Sequence, residues 1–370
     1  MRHYLDHAST SPARPEVVAA VAEWLARPGG GDPGRIHAEG LEARVAVETA
    51  RERVAALFGA KPRSVVFTSS ATEAIATACW GASERGAHQV LAAVEHSAVR
   101  KSAEANGAVT VVGVDAVGRV DPVDLLEAVR PDTALVHIQW GNHEVATTQL
   151  VAEVVAACRE RGVLVHVDAA QANGHVPIAF DEIGADLMSV SAHKMGGPAG
   201  VGALLVRRGL RLRPLLLGGD QERARRAGLE PVALIAGFGA AAETLLSSLH
   251  AEAASQRALT DRVLAAVPSL DGVRVYGDPV DRLPHLVCLG VDGVEPQAVL
   301  LGLDRAGVAA HSGSACSSES LEPSPVLEAM GVDAHHSLRL SVGWNTTDPD
   351  IDAALSALPG ILADLRALAR

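Results

Sequence analysis

Seven short apolar runs, most of them rich in valine, recur before residue 210, and this alternation limits the fold more than any other feature. They are SVVFTS (64–69), QVLAAVE (89–95), VTVVGVD (109–115), TALVHIQ (133–139), VLVHVDA (163–169), DLMSVSA (186–192) and VGALLVRR (201–208). Between them apolar residues return at helical spacing, as in Val123, Leu126 and Val129, or Val151, Val154, Val155 and Cys158. Strands alternating with helices predict a doubly wound α/β sheet, mostly parallel and covered on both faces. The run at 201–208 follows the one at 186–192 after only a short turn. It is expected to run antiparallel.

The pattern changes after a long Ala/Leu-rich stretch from about 232 to 270, which reads as one or two helices. Strands are then expected at 273–276, 285–291, 308–312 and 337–342, with helices at 296–307 and from 349 onward. This is the pattern of a second, smaller α/β domain. The expected division is a large domain over 13–255 and a small one from 1–12 and 256–370, joined by the long helix. The 370 residues are 48% hydrophobic and 21% charged, an ordinary globular composition. No apolar run approaches the ~18 residues of a membrane span, and the N-terminus has no signal-like apolar stretch. The formal charge is −12, with no Lys/Arg run. Direct binding to nucleic acid or to an anionic membrane is therefore not expected. Four widely spaced cysteines form no zinc pattern. Free thiols, no metal and a reducing cytoplasm are the expectation.

Chemistry concentrates at the predicted strand ends. In VSAHKMGGPAG, Lys194 follows a strand and precedes Gly196, Gly197 and Gly200, which allow a sharp turn. Alone, such a lysine is usually solvated. At the carboxyl end of a sheet strand it stands where open α/β folds bind ligands, and desolvation there suits it to Schiff-base chemistry. Asp168 ends another strand, 26 residues earlier. In FTSSATEAI, Ser69, Ser70 and Thr72 lie between a strand and a helix, a seat suited to phosphate. His96 in VEHSAV is again just past a strand. Far downstream, Cys316 sits in HSGSACSSESLEPSP, where no apolar periodicity explains a buried thiol.

With these features in this order, the chain resembles the fold-type I pyridoxal phosphate enzymes of the class V aminotransferase group. More specifically, it is similar to cysteine desulfurases of the IscS/NifS kind. The resemblance runs from YLDHASTSP through FTSSATEA, EHSAV, NHEVATTQ, HVDAAQANGHVPI and SAHKMGGPAGVGAL to GGDQERARRAG, GSACSSESLEPSPVL and SLRLSVGWNTT. It implies a large domain with a mostly parallel seven-stranded sheet and pyridoxal 5'-phosphate as cofactor. Lys194 would carry the cofactor as a Schiff base, Asp168 would meet the pyridine nitrogen, and His96 would stack on the ring and relay protons. Ala71, Thr72, Ser191 and His193 would hold the phosphate, with Gln171 and His143 at the ring oxygen. Arg339 and Asn142 would bind the substrate, the arginine gripping its carboxylate.

The implied reaction converts L-cysteine to L-alanine and leaves the sulfur on Cys316 as a persulfide, for delivery to an acceptor protein such as an iron–sulfur scaffold, a sulfur carrier or a thiolation enzyme. A selenocysteine lyase or another class V aminotransferase-type enzyme is the alternative. A cytoplasmic homodimer is implied as well. Four departures stand out, one of them Pro325 where the family has an aromatic residue. His143 occupies a position where the family has Asn. Leu229 occupies one where it has a Thr that reaches the neighbouring subunit's phosphate. The stretch between Gly331 and Arg339 is shorter than usual.

Overall fold

A computed structural model describes residues 2–312 and 323–368. Its strands are β1 (His3–Tyr4), β2 (Val65–Thr68), β3 (His88–Ala92), β4 (Ala108–Val112), β5 (Thr133–Gln139) and β6 (Leu164–Asp168). They continue with β7 (Leu187–Ser191), β8 (Gly202–Val206), β9 (Val273–Tyr276), β10 (Leu286–Val291), β11 (Val308–Ala309) and β12 (Ser337–Ser341). Seven of them form one sheet in the order β2-β8-β7-β6-β5-β3-β4. Strands β3 to β7 pair in parallel, and β8 is antiparallel to both of its neighbours. This is the doubly wound sheet, with its one reversed strand, that the spacing of the apolar runs predicts.

The sheet is buried on both faces, so its central strands read as continuous apolar runs. Every residue of β5, β6, β7 and β8 is buried. Val66, Leu135, Leu164, Leu187 and Leu204 point to one side, under the helix Ala71–Ala82. Their neighbours Val65, Val136, Val165, Met188 and Leu205 point to the other, into the main core. The helices Pro15–Leu25 and Ala38–Leu57 lie on that side, packed against the 35-residue helix Val232–Ala266.

That long helix is a single element, not two. It is long and apolar enough to cross a membrane, yet half of its apolar window is buried inside the fold. Its first half gives Ile235, Phe238, Ala241 and Leu245 to the main core. Its last turns give Leu259 and Val263 to a second core. The second core is built on an antiparallel sheet of order β12-β10-β9. Strand β10 serves both cores by alternation, with Leu286 and Cys288 facing one and Val287, Leu289 and Val291 the other. Strand β1 pairs with β11, which ties the first residues of the chain to this smaller unit. The helix Pro325–Ala329 is capped by Ser324, whose hydroxyl accepts from Leu327 N–H (3.2 Å), and Pro325 takes the first helical position.

Candidate active site

The carboxyl ends of β2, β3, β5, β6 and β7 open onto one cavity of about 320 Å³. Strand β12 and His311 close it from the smaller unit. Ala71, Thr72, His96, His143, Asp168, Gln171, Ser191, His193, Lys194 and Arg339 all line this space, brought together from segments up to 268 residues apart (339 minus 71). Cys316 lies outside the described residues.

Lys194 sits in a short 3-10 turn, Ala192–Met195, directly after β7. The turn ends at Gly196 with φ +82°, where a Cβ would also stand 2.8 Å from the Arg14 side chain. Arg14 braces this turn: its Nε donates to the Met195 carbonyl (3.0 Å), and its two Nη atoms grip Glu252 of the long helix at 2.8 and 2.6 Å. The Lys194 ammonium donates to the Ala8 carbonyl. Burial, and then the nearby Arg339 guanidinium, lower its pKa to about 8. A lysine so placed offers a neutral amine far more readily than a solvated one.

Asp168 is fixed at the cavity wall, its Oδ1 accepting from Ala170 N–H and from the Ser189 hydroxyl, both at 3.0 Å. Ser191 is clamped by Asn173, which accepts from its N–H at 3.0 Å and donates to its carbonyl at 3.1 Å. Its hydroxyl is buried without a hydrogen-bond partner and belongs to the cavity lining. An orphaned hydroxyl beside the amino end of the helix Ala71–Ala82 suits a bound phosphate. Gly202 leaves the room: a Cβ there would come within 2.7 Å of the Ser70 backbone and 3.0 Å of Ala71 N. The donor set and the space therefore fit pyridoxal phosphate. Ser69 is not part of the seat. It is exposed, its N–H donates to Glu73 (2.8 Å), and the Ser70 hydroxyl is taken by capping Glu73 N–H (3.3 Å).

The two cavity histidines differ in what they can do. His96 caps the helix Ser97–Asn106, with Nδ1 accepting from Ala98 N–H at 3.1 Å. Burial, with His143 next, pushes its pKa down to about 4, so the ring is neutral and carries its proton on Nε2. It is a donor to the cavity and takes up a proton only after releasing Ala98. The His143 ring packs edge-on against it, with centroids 5.1 Å apart, and Nε2 stands 3.5 Å from Glu144. His193 is likewise driven down to about 4, by burial and then Lys194, and contacts Thr10 at 3.2 Å.

Arg339 is only 2% exposed. Its Nη1 donates to the His143 carbonyl (2.8 Å) and its Nη2 to Asp6 (3.1 Å) and Ser9 (2.9 Å). Its Nε is buried without a partner, which leaves a donor on a guanidinium edge for a carboxylate. Asn142 does not join it. That side chain is fully buried and is not among the cavity residues. It is spent on its own turn, donating to the Val94 carbonyl (3.2 Å) and accepting from Glu144 and Val145 N–H (both 2.8 Å). Asp6, Ala8, Asn173 and His285 were not singled out from the sequence, although Asp6, Ala8 and Asn173 lie inside the quoted motifs YLDHASTSP and HVDAAQANGHVPI.

A doubly wound sheet that gathers a desolvated lysine, a fixed carboxylate and an anion seat at its strand ends has the architecture of a fold-type I pyridoxal phosphate enzyme. The chain belongs to the class V aminotransferase family, whose description, Aminotransferase class-V, matches residues 3–354. It is 40% identical over 377 residues to Cysteine desulfurase IscS of Dictyoglomus turgidum, an alignment that covers 99% of this chain and 95% of that protein. A solved NifS-like protein superimposes with a TM-score of 0.92 at 30% identity, covering 99% of this chain and all of the other. A structure described as SspA in complex with cysteine gives a TM-score of 0.82 at 29% identity, over 92% of this chain and 98% of that one.

Proposed function

We propose that the protein is a pyridoxal phosphate-dependent cysteine desulfurase that converts L-cysteine to L-alanine and passes the sulfur through Cys316 to an acceptor protein. The observation that carries this reading is the single cavity in which a lysine with its pKa lowered to about 8 meets an almost fully buried arginine. Ser191, Thr72 and the amino end of the helix Ala71–Ala82 would hold the cofactor phosphate, Asp168 the ring nitrogen and Gln171 the ring oxygen. Pyridoxal phosphate bound there supplies an electron sink that weakens the bonds at Cα and Cβ of an amino acid. Arg339 binds and orients the substrate carboxylate. Lys194 gives up and takes back a proton at Nζ. His96 holds one at Nε2 and donates a hydrogen bond into the cavity.

Sulfur leaves by breakage of the substrate Cβ–S bond and formation of an S–S bond to Cys316. The attacking thiol loses one proton and Cβ gains one, which makes the methyl group of alanine. Cysteine is the ligand of the solved SspA relative, and desulfurase is the name of the close sequence relatives.

The test takes purified protein reconstituted with pyridoxal phosphate. A visible absorbance band should form and should be absent in Lys194→Ala. Incubation with cysteine should add one sulfur to Cys316 by mass spectrometry. Cys316→Ser should keep the band and lose sulfide release. A colourless wild-type protein sinks the cofactor assignment, and full turnover by Cys316→Ser sinks the persulfide route.

The acceptor, the compartment and the assembly are part of the same proposal. The three described cysteines are buried free thiols, which supports a reducing, cytoplasmic setting. Exposed Leu25, Ile36, Leu217 and Leu229 support a face for a second copy of the chain.

A further inference from the structure

We propose that His285 is a positioning residue that pins the Gln171 side-chain amide at the wall of the cofactor cavity. The inference rests on the proposed function in taking that cavity to hold pyridoxal phosphate. Gln171 follows β6 and lines the cavity. Its Nε2 lies 2.8 Å from Nε2 of His285. An amide nitrogen can only donate, so the imidazole accepts there and carries its own proton on Nδ1. One N–H of Gln171 is thereby committed to His285, and the second N–H and Oε1 are left to serve the cavity. Burial, with His175 next, holds the His285 pKa well below the usual histidine range, so the ring stays a neutral acceptor at working pH.

The support behind this contact is rigid. His285 immediately precedes β10 of the smaller sheet, 114 residues from Gln171 in the chain. Its ring stacks on that of His175, with centroids 3.5 Å apart and planes 10° from parallel. His175 is held in turn by Gln256 of the long helix (2.9 Å) and by the Lys194 carbonyl (3.3 Å). All of these side chains except that of Lys194 are nearly or fully buried. The His285 Nδ1 has no hydrogen-bond partner. A buried N–H without a partner is costly, and an apolar residue would pack on His175 without that cost. What histidine adds is the acceptor at Nε2. The link also ties the unit that carries Arg339 to the two residues, Gln171 and Lys194, that face the cofactor.

The experiment uses ligand-free and reconstituted full-length protein. In the ligand-free state, a long-range ¹⁵N–¹H spectrum should show His285 protonated at Nδ1. Protonation at Nε2 overturns the proposal, and this measurement needs no variant. The Gln171 side-chain amide, assigned by its loss in Gln171→Leu, should exchange slowly with solvent in the wild type and much faster in His285→Leu. His285→Gln, which restores an acceptor, should return it to slow exchange. In reconstituted protein, His285→Leu and Gln171→Leu should each move the pH midpoint of the visible band by about half a unit or more, with no further shift in the double variant. His285→Gln should restore the midpoint. An unchanged midpoint and unchanged amide exchange in a folded His285→Leu overturn the positioning role, because a purely structural histidine would alter thermal unfolding without moving either. If the wild type takes up no cofactor, the proposed function fails, and the ligand-free measurements still decide the role of His285.

Discussion

Lys194 sets the pH behaviour of the site. Its pKa is lowered to about 8 by burial and then by Arg339, so its neutral fraction rises as pH rises through that value. The rate at which ligand-free protein captures pyridoxal phosphate should therefore climb about tenfold per pH unit below the midpoint and level off above it. Stopped-flow absorbance checks this, and a flat profile from about pH 6 to about pH 9 would show that the lysine does not titrate there. The same shift bears on stability. The unfolded lysine keeps its proton up to about pH 10.4, so it binds more protons than the folded one between the two midpoints. The fold is thus penalised in full below the folded midpoint and relieved as pH rises toward the unfolded one. Lys194→Met should stabilise the ligand-free protein at neutral pH by about 1–3 kcal/mol, with the gain shrinking above the folded midpoint. Arg339→Lys should lower kcat/KM for cysteine by about 10- to 100-fold, since an ammonium cannot hold the His143 carbonyl, Asp6 and Ser9 and still present a donor to the carboxylate. The residues beside a strand end were readable only as a set, since a glycine turn, an acid or a lysine there has an ordinary structural use when it stands alone. Asp6 against Arg339 was not readable, since the two are 333 positions apart and neither is locally unusual. The outward turn of Asn142 away from the cavity was not readable, because adjacency to a strand end does not say which way a turn residue points.

At the scale of elements, the segment Gln221–Ala224 is the least relaxed piece of backbone. Glu222, Arg223 and Ala224 all have positive φ, at 49°, 59° and 59°. Each such residue costs about 1–2 kcal/mol, so something must hold the turn. The Glu222 carboxylate does so: it takes both Nη atoms of Arg51 at 2.7 and 2.8 Å and the Phe67 N–H at 2.8 Å. The two side chains are only 3% and 1% exposed. Glu222→Ala would leave the buried Arg51 guanidinium with only Glu48 at its Nε and the Val65 carbonyl, and should destabilise by about 3–5 kcal/mol. Ala224→Gly should instead stabilise by about 0.5–1 kcal/mol, strain relief outweighing the entropy of glycine. Urea unfolding measures both, and a destabilised Ala224→Gly would contradict the strain. Nothing in DQERARR announces this turn, because its conformation is imposed by Arg51, which lies 171 residues away. The strands, in contrast, were legible wherever both faces are buried. They were read too long at 89–95, because Val94 and Glu95 are buried by the site after β3 has ended.

At the scale of the whole molecule, the second copy proposed above would have to cover the large apolar side chains left exposed. Leu25, Ile36, Leu217 and Leu229 are 74%, 89%, 81% and 61% exposed, and they come from two stretches of chain. Segments close to them in the chain meet at a cavity of about 310 Å³, lined by Pro33, Gly34 and Arg44 on one side and by Asp220, Gln221 and Arg223 on the other. The second stretch also reaches toward the phosphate seat, because Arg226 pairs with Glu73 (2.9 Å) in the first turn of the helix Ala71–Ala82. A partner that covered all four apolar side chains would gain about 1.5–3 kcal/mol from each one fully buried. It would also exclude water from the rim of the cofactor site. Sedimentation velocity should therefore give a dimer for the wild type, and Ile36→Asp with Leu217→Asp should give a folded monomer. Since Arg226 of the second stretch is anchored to the helix whose amino end forms the seat, the monomer should also lose pyridoxal phosphate more readily on dilution. A wild type that sediments as a monomer with tightly held cofactor would place the phosphate under the control of one chain alone. The exposed leucines would then have to serve another partner, such as the sulfur acceptor.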